Sequence, residues 1–134
     1  MLKINPNPTF KFPVKFNTPE GEQTITLRGR HMTVEEHDLW WAGAVARYVA
    51  HKQALEAYAQ ALEALKEGEP IPDPPKMEKT GLDEIMDVVA GWEEVDAAFS
   101  REALTTVLSN YHDLTAKKIC EGWSEALTQH RTKN

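Results

Sequence analysis

Side chains able to do chemistry are few and scattered in this chain of 134 residues. There are five histidines, His31, His37, His51, His112 and His130. None pairs with another His or a Cys at a zinc-ligand spacing, and no HExxH run occurs. Glu36-His37-Asp38 sets an imidazole between two acids. Consecutive helical residues point in different directions, so the three do not converge. They read as a solvated first turn whose acids suit the positive end of the helix dipole. Cys120 follows Lys117 and Lys118, and a lysine one turn back favours a thiolate. No His–Cys dyad can be placed, so a buried structural Cys is the better reading. Glu93, Glu94 and Asp96 form an acidic loop, but they lack the spaced ligands of a calcium loop. The glycines make neither G-x-G-x-x-G nor a Walker A loop, and no Ser sits in a nucleophile elbow. The residues support no catalytic, cofactor-binding or metal site, and a non-enzymatic role is the expectation.

The elements that carry these residues follow from periodicity. Phe10, Phe12, Val14 and Phe16 alternate with Lys11, Pro13, Lys15 and Asn17, one apolar face against one polar face. Thr18-Pro19-Glu20-Gly21-Glu22 is turn chemistry, and Ile25 and Leu27 alternate with Thr24, Thr26 and Arg28 beyond it. A hairpin over 9–31 is expected, with Pro13 on an edge or at a bulge. The period then changes. Thr33-Val34-Glu35-Glu36 is a capping box, and the stretch to Glu67 is rich in Ala, Leu, Glu, Gln and Lys. A helix over 33–67 would run about 45–50 Å, long for one face of so small a domain. Trp41, Val45, Tyr48, Lys52, Leu55, Ala59 and Leu62 recur every three or four residues, a rough heptad seam with one polar break. Trp40 and Trp41 point about 100° apart on that helix. Both bury only if two surfaces cover it, or if one Trp meets a partner chain.

Pro70, Pro72, Pro74 and Pro75 make 68–79 a stiff extended connector. Beyond it, Thr80 or Asp83 would cap a short helix carrying Leu82, Ile85, Met86 and Val89, stopped by Gly91. Ser100 would cap a second, ending at Asn110, and Asp113 a third carrying Leu114, Ile119, Trp123 and Leu127. The tail from Gln129 to Asn134 is polar and expected to fray. The expected fold is α+β, mainly α: a hairpin, a long helix, a connector and a block of about three short helices over 80–130, in a single domain. Trp92, Phe99, Leu104, Leu108, Tyr111 and Trp123 are its expected helical core.

Composition narrows the classes. A formal charge of −6 argues against a general phosphate-backbone binder. One Cys cannot close an intrachain disulfide and suits a reducing compartment. No apolar run approaches the roughly 18 residues of a membrane span, and no basic-then-apolar leader is visible. Nucleic acid and membrane are therefore not expected partners.

Val89-Ala90-Gly91-Trp92, the acidic loop, Phe99-Ser100, then Leu104, Leu108 and Tyr111 before an amphipathic helix, together resemble the tail assembly chaperones of long-tailed, lambda-like siphophages. The hairpin and the Thr33-capped helix occur in the family's order, so the resemblance covers nearly the whole chain. Where the family often has Pro before the Phe and after the Tyr, this chain has Ala98 and His112. The resemblance implies a non-catalytic chaperone that binds the tape measure protein and keeps it soluble while tail tube protein is recruited. It also implies weak homo-oligomers, a place in the host cytoplasm and absence from the mature virion. In related phages a ribosomal frameshift makes a longer version. On this reading Trp41, Val45, Tyr48, Leu55, Tyr58 and Leu62 form the protein-binding or self-association surface. The competing readings are a head–tail connector or tail terminator that stays in the particle, and a small helix-turn-helix regulator. Against the regulator, the last helix carries Glu121 and Glu125 beside Lys117 and Lys118.

Overall fold

The structure is a computed structural model and describes residues 1–129. The tail beyond Gln129, with His130, lies outside the described residues. The elements run β1 (Thr9–Thr18), β2 (Gly21–Arg30), α1 (Val34–Glu63), α2 (Gly81–Val88), β3 (Val89–Glu93), α3 (Arg101–Asn110) and α4 (Ala116–Thr128). They divide into two compact units, residues 34–80 and the remainder.

In the unit formed by 1–33 and the C-terminal segment, the hairpin forms where the alternation places it. Phe12 pairs with Leu27 and Val14 with Ile25, so the apolar residues of both strands share one face. Pro19 and Glu20 make the loop between the paired Thr18 and Gly21. The Thr18 hydroxyl donates to the Gly21 carbonyl (2.7 Å), and Gly21 takes φ 121°, which a side chain disfavours. Pro13 lies on β1, an edge strand, because the sheet order is β1-β2-β3.

The third strand corrects the expected short-helix block. The run Val88-Val89-Ala90-Gly91-Trp92 does not finish a helix at Gly91. The helix ends at Val88, and Val89–Glu93 pairs antiparallel with β2, with a register shift between Arg28 and Gly29. Val89 therefore belongs to the sheet. Two β-branched residues ahead of Gly and Trp suit a pleated surface, and β2 offered an unpaired edge. On the polar face Glu93 meets Lys11 (3.1 Å) and Arg28 (2.5 Å), one charged side chain from each strand.

The core lies between the apolar face of the sheet and α2 and α4. It contains Phe12, Val14, Phe16 and Leu27 from the hairpin, Ile85, Val88 and Val89 from the α2–β3 junction, Leu104 from α3, and Leu114, Ile119, Cys120 and Trp123. Helix α4 packs on the sheet with Gly122 facing Phe12 and Val14. Trp123 lies over Gly29, and its indole Nε1–H donates to the Arg30 carbonyl (2.9 Å). Burying so large a side chain with its one donor satisfied makes it the main anchor of this core. Of the six residues expected in a helical core, Leu104 and Trp123 are buried, whereas Tyr111 is exposed at its edge. Trp92 and Phe99 instead meet edge to face at 5.1 Å, and the Trp92 Nε1–H donates to the Ala97 carbonyl (2.8 Å), closing the loop after β3.

Capping follows the sequence in one helix and departs from it in another. Ser100 caps α3, accepting from the Ala103 N–H (3.0 Å). Thr115, not Asp113, caps α4, accepting from the Lys118 N–H (3.2 Å). The Asp113 carboxylate is used elsewhere: it accepts from the Asn17 N–H (2.7 Å) at the end of β1 and pairs with Lys118 Nζ (2.6 Å). A long-range partner outcompetes the local cap.

In the unit formed by 34–80, α1 begins directly after Thr33 and runs 30 residues to Glu63. At 1.5 Å per residue its length is about 45 Å. No residue of this unit is among the buried apolar core residues.

Candidate protein-binding surface

Helix α1 presents the seam as a stripe. Val45, Tyr48, Leu55 and Leu62 are 49, 65, 44 and 39 % exposed. Spacings of three and four keep Trp41, Val45, Tyr48, Leu55 and Leu62 on one side of a 3.6-residue helix, over about 30 Å. Lys52 and Ala59 lie in the same stripe, so it holds one charge at its middle. Trp41 is half-buried, with its ring 6.2 Å from Trp40 and stacked over His37 at 6.2 Å. Val34, seven residues before Trp41, continues the stripe to the start of α1, whereas Leu39 and Val49 are exposed apolar residues outside it.

Tyr58, three residues after Leu55 and four before Leu62, borders the same side of the helix and is half-buried. Its hydroxyl donates to the Pro72 carbonyl (3.0 Å). The connector thus comes back beside α1. There Arg47, Ala50, His51 and Ala54 from the helix and residues 76–79 from the connector line a pocket of about 220 Å³. The small Ala50 and Ala54, four apart, are the signal that could have shown this approach.

The residues with chemical potential take ordinary roles. His37 is buried, not solvated as the first-turn reading expected: stacking on Trp41 covers it, and its Nδ1 donates to Asp38 Oδ1 (2.9 Å). Cys120 is buried, and its thiol is pushed up to about 12 by desolvation first, then by the Glu84, Asp87 and Glu121 carboxylates. That is the reverse of the lowered value a nucleophile needs. In the acidic loop Glu93 is held below its ordinary value by hydrogen bonding from Lys11 above all, helped by the charges of Lys11 and Arg28. Glu94, at φ 57°, turns the chain out of β3. Among the described residues no group of three His, Cys, Asp or Glu is placed to hold a metal ion. Among them, too, no helix is long and apolar enough to cross a membrane.

Exposed apolar stripes on helices are one of the surfaces through which proteins meet other chains. No curated protein and no solved structure matches the sequence. A sequence model of the phage tail assembly chaperones does match it, over residues 1–134. With the long α1, the Gly91-Trp92 strand and the Ser100-capped helix in that order along the chain, and the match over its whole length, the chain belongs to the phage tail assembly chaperone family.

Proposed function

We propose that this tail assembly chaperone binds the phage tape measure protein through the α1 stripe and keeps it soluble while tail tube protein is recruited. The observation that carries the reading is the row of Val45, Tyr48, Leu55 and Leu62, exposed along one side of a helix of about 45 Å. A long helical client exposes apolar stripes of its own, and helix-against-helix burial covers both. The role is non-catalytic, since the stripe offers apolar contact and no reacting group. The formal charge of −6 keeps such complexes dispersed by mutual repulsion. Several copies along one client would associate weakly with one another. The protein would act in the host cytoplasm and be absent from the finished virion.

Co-expression with the phage's tape measure protein tests the reading. Wild-type chain should hold the client in the soluble fraction. The double variant Leu55→Glu plus Leu62→Glu should keep its far-UV helix signal and lose that ability. Undiminished client solubility with the double variant would remove α1 from the binding surface. Peptides of the protein found by mass spectrometry in purified virions would favour the connector reading instead.

A further inference from the structure

Strand β3 covers only part of the edge it pairs with. Its register runs from Thr26 to Gly29 of β2, while β2 itself extends back to Gly21 beside β1. Antiparallel neighbours alternate between pairs that exchange backbone hydrogen bonds and pairs that turn those groups outward. Two observations fix the phase of this alternation. Pro13 has no N–H to give to β2, and the Asn17 N–H goes out to Asp113. Their partners Thr26 and Glu22, with Thr24 between them, therefore turn their backbone groups away from β1. Thr26 directs its own to Glu93 of β3. Thr24 and Glu22 are exposed, and among the described residues no strand lies beside them on that edge. Strand β3 stops short because Glu94, at φ 57°, turns the chain away, and the Trp92–Ala97 hydrogen bond closes that turn.

An open groove of about 380 Å³ lies along this stretch. Its lining is largely polar, with a small apolar patch of Phe16, Ile25, Val107 and Tyr111. It holds three carboxylates and no Lys or Arg. Glu93 is already met by Lys11 and Arg28, whereas Glu94 and Asp96 stand exposed. The outer edge of β1 is guarded against strand addition by Pro13 and by Lys11 and Lys15. Between Gly21 and Ile25 there is neither Pro nor Lys.

We propose that this edge takes an extended segment of a partner protein as an added strand, in the row of β3, with basic and apolar residues alternating along it. The outward N–H and C=O groups of Thr24 and Glu22 require main-chain partners, and only an extended chain supplies them in register. Affinity from the main chain suits a polar lining. Residues of the added strand opposite Ile25 share its face with Phe16 and are apolar. Those between them are basic and answer Glu22, Glu94 and Asp96. A second copy of this chain, of formal charge −6, is the poorer match to an acidic edge. The inference goes beyond the α1 reading and is independent of what α1 binds.

A heptapeptide of alternating Val and Lys, blocked at both ends, is the probe, and amide hydrogen exchange of the full chain followed by NMR is the readout. Wild type should bind it, and the Glu22 and Thr24 amides should then exchange about tenfold more slowly or better. A Val/Glu heptapeptide should not bind. Thr24→Pro removes the outward N–H while sparing the bonds to β1, as Pro13 does in its own strand, and should weaken binding about tenfold or more. Thr24→Val should bind as wild type does. Glu94→Lys plus Asp96→Lys, in the exposed loop, should also weaken binding, which keeps the test decisive if Thr24→Pro fails to fold. No binding of the Val/Lys peptide overturns the inference, as does binding that leaves Glu22 and Thr24 exchange unchanged or that a folded Thr24→Pro variant retains. Slow exchange of these two amides in free wild type also overturns it, because the edge is then filled by this chain itself.

Discussion

Single residues decide how tightly the sheet and α4 meet. A Cβ on Gly29 would lie 2.7 Å from Trp123 Cδ1 and 2.9 Å from Phe10 Cζ, so one ring must move. Gly29→Ala should cost about 1–3 kcal/mol, read as a lower urea midpoint at unchanged slope. Gly91→Ala is the control. Its new methyl would meet only Arg28 Cδ at 3.8 Å, an ordinary contact, so its stability should stay within about 0.5 kcal/mol of wild type. Trp123→Ala removes the largest fully buried side chain and should cost about 3–5 kcal/mol. Asp113 gives a pH dependence. Its carboxyl is held below the ordinary 3.8 by the Lys118 hydrogen bond first and the Asn17 N–H second. A depressed folded value means the unfolded chain takes up the proton more readily. The contribution is therefore present above the ordinary carboxylate range and lost as pH falls through the depressed value. The urea midpoint of Asp113→Asn should fall less steeply with acid than that of wild type. The site is solvent-screened, so the difference is small.

Elements show why local pattern and tertiary pairing part company. Strand alternation in the hairpin and the Ala- and Leu-rich run of α1 are each self-sufficient signals, and both elements stand where the periodicity put them. Strand β3 has five residues and follows α2 without a break, so no turn residue marks the change. Only the open edge of β2 makes it a strand. The same competition moved Asp113 from capping α4 to the end of β1, and Thr115 took the cap. Replacing Thr115 by Ala should cost about 1 kcal/mol, whereas a Ser there should be nearly neutral, both read by urea unfolding.

At the scale of the whole molecule, the buried apolar residues all belong to one unit, while the exposed stripe belongs to the other. Replacing residues 34–80 by a short Gly/Ser linker should therefore leave a chain that still unfolds cooperatively. It should retain the near-UV signal of Trp123 and lose client binding. Cys120 reports the same integrity: its buried thiol should react slowly with a thiol reagent in the native chain and at once in denaturant.

By itself the sequence determined the elements whose signals are local: the Phe-faced hairpin, the long helix after Thr33, the Ser100 cap, and the exposed seam of Val45, Tyr48, Leu55 and Leu62. It also carried the family resemblance, because Gly91-Trp92, Phe99-Ser100 and Tyr111 occur in that order. The tertiary structure alone decided that Val89–Glu93 is a strand, that Asp113 serves β1, and that the Tyr58 hydroxyl meets the returning connector at Pro72. Each of those outcomes depends on a partner distant along the chain or on an irregular segment without periodicity. Pattern reading weighs only neighbours, and so it could not rank a distant edge, a distant amide or a returning connector against the local alternative.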